Sequence, residues 1–147
     1  MTDLKLIAFD AEDLAVIAAH LQDAVLRVED MAYVKAERRF AIVANRFDWS
    51  QSAQEGKKPG RFVRRRAGAR IEHVTGAKVS GIDLKNKDQV LSLLTLTFEE
   101  TEAPQGVITL SFAGGGAVRL DVECVEAALT DLGAAWATRS KPQHAED

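Results

Sequence analysis

The feature that most limits what this chain can fold into is a change of hydrophobic period. Over residues 11–25 the apolar side chains Leu14, Ile17, Ala18, Leu21 and Val25 recur every three or four positions, which is one face of an α-helix. From Leu26 onward they recur mostly at every second position, the repeat of strands whose side chains alternate between two faces. A chain patterned this way has to build a sheet and lay a helix across it.

The helix is expected from Ala11 to about Ala24. Asp10 is placed to cap it, and Glu12 and Asp13 fall in the first turn, where the helix dipole favours carboxylates. A short apolar run, Leu4 to Phe9, precedes it. Seven strands are then expected, over residues 26–34, 39–49, 61–74, 78–82, 90–98, 106–112 and 117–123. In the first of these Leu26, Val28, Ala32 and Val34 share a side. The second is apolar on both faces and therefore central, whereas the third is polar and reads as a sheet edge. Leu94, Leu96 and Phe98 are expected inward. Lys35-Ala36-Glu37-Arg38 is short enough to make its flanking strands antiparallel neighbours, and Gly114-Gly115-Gly116 supplies the positive φ angles of a tight hairpin. A closing helix is expected from Val125, Ala128, Leu129 and Leu132, with Gly133 just past its end. Residues 50–60 read as a loop, and 138–147 as a disordered tail on a single domain spanning 1–137. The fold class is α+β: a strongly bent antiparallel sheet or partly open two-sheet barrel, with an N-terminal strand-helix and a C-terminal helix.

Composition closes several functional classes. Among 147 residues, 19 Lys and Arg face 22 Asp and Glu, so the net charge of −3 gives no global positive field to hold nucleic acid. The single cysteine, Cys124, forms no internal disulfide, and Asp3 and Asp10 interrupt any secretory apolar segment, so a cytoplasmic location is expected. The longest uninterrupted apolar run, residues 14–19, is far short of the roughly 20 residues that cross a bilayer. His20, His73 and His144 show no metal-ligand spacing, and strand rather than helix follows the glycine triplet, so neither metal nor phosphate-loop cofactor is expected.

What remains is local. Lys57, Lys58, Arg61, Arg64, Arg65, Arg66 and Arg70 fall within residues 57–70, with no acidic residue among them. On a strand Arg64 and Arg66 share one face and Arg65 takes the other. Because the planar guanidinium matches phosphate and carboxylate, the expected function is a non-enzymatic binding module for an anionic group on a protein or small ligand. Arg61, Arg64 and Arg66 would carry it, supported by Lys57, Lys58, Arg46 and Trp49. Three alternatives stand beside it: a charged guard on an edge strand; RNA or single-stranded nucleic acid, with Phe47 or Trp49 stacking on bases; and a small enzyme with a cleft near His73 or Cys124. Glu72 is not expected to join His73, since adjacent strand residues point to opposite faces. Cys124 reads as a small buried hydrophobe. Acidic residues gather late, including Glu99, Glu100, Asp121, Glu123, Glu126 and Asp131; they read as a solvent face and helix-start carboxylates, and also offer charge complementarity for a homo-oligomer.

The runs Leu4–Leu14, Glu37–Trp49 and Leu120–Cys124 resemble an uncharacterised alphaproteobacterial family, a domain of unknown function. That resemblance spans nearly the whole chain and implies a bacterial protein without implying any activity. The order of strands closed by a helix is similar to pleckstrin-homology-like folds, which implies two packed sheets and a binding role.

Overall fold

The computed structural model describes residues 4–48 and 62–138. Strand β1 (Lys5–Ala8) leads to helix α1 (Ala11–Leu21). Then come β2 (Val25–Arg27), β3 (Met31–Val34), β4 (Arg39–Phe47), β5 (Phe62–Ile71), β6 (Val74–Ser80), β7 (Val90–Glu100), β8 (Gly106–Phe112), β9 (Ala117–Val122) and β10 (Ala127–Thr138). The expected loop over 50–60 and most of the expected tail lie outside the described residues.

Helix α1 starts as its sequence requires. Asp10 has extended backbone, and its Oδ1 accepts the N–H of Asp13 at 2.8 Å. Its buried stripe is Leu14, Ile17 and Leu21, laid mainly across β7 and β1. The helix ends earlier than expected, and Asp23 takes a positive φ of 65° as the chain turns into β2.

The ten strands form one antiparallel, unclosed sheet in the order β1-β10-β5-β4-β2-β7-β8-β9-β6, with β3 paired to the free part of β4. Strand β7 changes partner along its length: residues 90–92 pair with β2, and from Leu93 onward the strand pairs with β8. The core between the sheet and α1 includes Leu93, Leu96, Ile108, Leu110, Phe112, Val118, Leu120 and Leu129. Strand β4 is central, as its two apolar faces imply, and the β8–β9 hairpin turns through Gly114 and Gly115 at φ 90° and 98°.

Four expectations need correction. The largest is the closing helix, because residues 127–138 form β10, inserted between β1 and β5. Ala127, Ala128 and Leu129 are all buried, and a strand covered on both faces loses the alternation that would have announced it. Gly133 falls within a register shift between Asp131 and Ala135, where a glycine eases a bulge, instead of capping a helix. The structure is accordingly sheet-dominated. Second, β5 is no edge: it lies between β10 and β4, and its small residue Gly68 leaves room for Leu132 to lie above it. Third, a bulge between Leu93 and Thr95 reverses the phase of β7, so that Leu93 and Leu96 point inward and Leu94 is exposed. Fourth, a 3₁₀ turn at Val28–Asp30 splits the first expected strand into β2 and β3, leaving Ala32 and Val34 exposed.

Gly106 tests the packing at the β7–β8 junction. A Cβ there would press into the Phe98 ring and the Glu99 carbonyl, whereas one at Gly133 meets nothing within 4 Å. Gly106→Ala is expected to cost about 1–3 kcal/mol in urea denaturation, and Gly133→Ala to change stability by less than about 1 kcal/mol.

Candidate functional site

Register dictates how the arginines are dealt out. In the β4–β5 pair Arg46 stands opposite Arg65, Phe47 opposite Arg64, and Asn45 opposite Arg66. Arg46 and Arg65 continue the core-facing rows of Ala44 and Ala67, so both are buried. Arg64 and Arg66 share the opposite face, as the sequence alternation required. Arg66 is exposed.

The two core-facing arginines are already matched. Arg46 donates from Nε and Nη2 to the two oxygens of Asp131 on β10, both at 2.9 Å, in a fully desolvated fork that passes over β5. Asp131 Oδ2 also accepts the N–H of Leu4 at 2.7 Å, which ties the approach to β1 into the same group. Arg65 Nε donates to Asp48 Oδ2 at 2.7 Å. Burial alone would raise the carboxyl of Asp131, but the hydrogen bonds from Arg46 and Leu4 and the charges of Arg46 and Arg65 hold it below its ordinary range. Nearby, His20 is pushed below the usual histidine range, first by burial and then by Arg46, against the opposing pull of Asp48 and Asp131. Arg46 is therefore an internal counter-ion and not part of an external patch.

Arg64 is different. It is fully buried, its guanidinium carbon lies 4.4 Å from the centre of the Phe47 ring, and Nη2 reaches the Asn45 carbonyl only at 3.4 Å. Nε and Nη1 have no hydrogen-bond partner among the described residues. Of four buried side-chain polar atoms left without a partner among the described residues, three belong to Asn45 and Arg64, which concentrates the unmet polarity at one spot. Burial brings the Arg64 guanidinium down to about 10. Phe47, beneath Arg64, is itself buried and offers no open face to a base. Lys57, Lys58, Arg61 and Trp49 lie outside the described residues.

A second cluster gathers where the β5–β6 and β9–β10 connections meet. Glu72 N–H donates to the Glu126 carbonyl at 2.9 Å and Glu123 N–H to that of His73 at 3.0 Å. His73 takes the left-handed conformation, φ 59°, which breaks strand alternation and brings Glu72 and His73 to one side, contrary to their expected opposition. Both line an open basin of about 440 Å³ together with Arg39, Arg70 and Glu126. Glu72 holds two cations at once: Arg39 Nε lies 3.0 Å and Arg70 Nε 2.9 Å from its Oε2. His73 Nε2 lies 2.7 Å from Glu126 Oε1. Except for Glu72, these side chains are 38–48% exposed, and ion pairs so exposed contribute about 0–1 kcal/mol. Cys124, in the same connection, is half-buried.

The family model described as "Protein of unknown function (DUF2948)" matches residues 4–144. The chain belongs to the DUF2948 family. No curated protein matches it, and no solved structure does. Among the described residues of this DUF2948 protein, no group of three or more His, Cys, Asp or Glu is placed to hold a metal ion, and no helix is long and apolar enough to cross a membrane.

Sequence inspection missed Asp131 and Asp48 as partners, although a signal existed. Arg46 occupies the inward phase of Phe40, Ile42 and Ala44, and Asp131 interrupts the apolar run 127–132; a buried charge in each place demands an opposite one.

Breaking the buried pair is expected to cost about 3–5 kcal/mol in Arg46→Met or Asp131→Leu alone and much less in the double variant, by chemical denaturation. Acid should destabilise the fold in two stages. The depressed His20 adds a loss as pH falls below about 6.5, and the depressed Asp131 adds another below about pH 4. His20→Gln removes the first stage and spares the second.

Proposed function

We propose that this DUF2948 protein is a non-enzymatic binding module that accepts an anionic group at Arg64. The observation that carries this is a buried guanidinium with two unpartnered nitrogens, beside two other arginines that each have a carboxylate. The burial that lowers Arg64 to about 10 weighs on the order of 3 kcal/mol against the charged folded state. That is a large fraction of the 5–15 kcal/mol by which a typical domain is stable. A cation held at that cost on a Phe47 ring, which returns only about 0.5–2 kcal/mol, is accounted for by a ligand that supplies the missing charge. Carboxylate and phosphate oxygens both fit the guanidinium fork, and exposed Arg66 on the same face adds a second cation at the rim. The burial of Phe47 favours this over base stacking.

Melting temperatures in phosphate and in chloride of matched ionic strength test the reading. Wild type is expected to gain stability in phosphate, following the free-energy contribution of a ligand that binds only the folded state. Arg64→Met, which removes the uncompensated charge, is expected to be more stable by up to about 3 kcal/mol in chloride and indifferent to phosphate. A variant less stable than wild type and equally responsive to phosphate would overturn the proposal.

A further inference from the structure

The basin at the β5–β6 turn is separate from Arg64, and its two walls are chemically opposite. On one wall Glu72 occupies the Nε of both Arg39 and Arg70. Arg70 is left with Nη1 and Nη2, and Arg39 with Nη2, free of hydrogen-bond partners among the described residues, since the remaining Arg39 nitrogen donates to Glu37. One carboxylate thus aligns two guanidinium groups whose unused ends are donors only, with a net charge of +1 for the three groups.

On the other wall the unused atom is an acceptor. Glu126 Oε1 lies 2.7 Å from His73 Nε2, so the imidazole and one carboxylate oxygen are engaged with each other. His73 Nδ1 faces Glu123 at 3.9 Å, a carboxylate outside the basin's lining that Arg38 engages at 3.2 Å. Glu126 Oε2 has no hydrogen-bond partner among the described residues. Free guanidinium donors and one vacant carboxylate oxygen therefore border one solvent-open volume of about 440 Å³, enough for a small molecule.

We propose that this basin binds a small zwitterion of the α-amino acid class, its carboxylate on the free ends of Arg70 and Arg39 and its ammonium on Glu126 Oε2. A simple anion would satisfy the arginine wall and leave Glu126 facing more negative charge. A simple cation would do the reverse. Only a ligand carrying both charges meets both walls, and the absence of an apolar side chain among the described lining residues leaves the ligand's own side chain weakly selected.

Isothermal titration of the full chain with L-alanine, N-acetyl-L-alanine and L-alanine methyl ester tests this directly. The free amino acid is expected to bind, and the two blocked forms, each lacking one charge, at least tenfold more weakly. Arg70→Gln and Glu126→Gln are each expected to weaken L-alanine binding at least tenfold, with circular dichroism confirming that the variants remain folded. Arg64→Met should bind L-alanine as wild type does, which separates this site from the anion site. The proposal is overturned if N-acetyl-L-alanine binds as well as L-alanine, or if none of the three binds at millimolar concentration, in which case the cluster only fastens the two connections together. The three-ligand comparison on wild type decides the matter even if a variant fails to fold.

Discussion

The Arg46–Asp131 fork is the interaction on which the rest of the structure leans. It joins β4 to β10 across β5, and the same carboxylate accepts the backbone N–H of Leu4 beside β1. Four successive positions in the sheet order are thereby held by one desolvated carboxylate. Such a pair adds little net stability over a well-packed apolar replacement, because both charges had to leave water. What it does add is a penalty for error: a β10 shifted by one residue would turn Asp131 to the other face and strand Arg46 without its counter-ion. Register is thus enforced where β10 is otherwise a run of small apolar residues with little to distinguish one alignment from the next.

The same sheet end shows how charge is distributed between structure and recognition. Alternation along β5 sends Arg65 inward to Asp48 and Arg64 outward over Phe47. The described arginines of the patch seen in sequence therefore fall into four environments: paired and internal at Arg65, buried and unmatched at Arg64, solvated at Arg66, and exposed but paired to Glu72 at Arg70. On the proposed reading, functional weight shifts from the number of cations to the one whose environment leaves it unmatched.

Much of the fold was legible. The capped first helix, the central β4, the β3–β4 connection and the glycine hairpin follow from local chemistry that operates within a few residues. The parts that were not legible depend on neighbours distant in sequence. Residues 125–132 have helical spacing and good helix formers, and β10 exists because β5 and β1 provide ladders on both sides of it, a tertiary preference that outweighs a weak local one. The bulge at Leu93–Thr95 puts Leu93 rather than Leu94 inward while Leu96 stays inward as expected, and it leaves no mark in the composition. At the candidate site, strand periodicity separated Arg64 from Arg65 correctly, but only the sheet order reveals that Arg46 meets Asp131. His73 evaded the two-residue repeat because a single left-handed residue cancels it.

Alignment of β4 against β5 is set by eight consecutive backbone pairs, from Phe40↔Ile71 to Phe47↔Arg64, and by the Arg65–Asp48 contact. The β3–β4 ladder is half as long, four pairs from Met31↔Ile42 to Val34↔Arg39, and β3 has no other partner strand in the sheet. Opening free energy varies along a sheet with the number of ladder bonds that must break. Strand β3 is therefore the place where the sheet should fray first, and its amides should exchange with solvent ahead of those of β4 and β5.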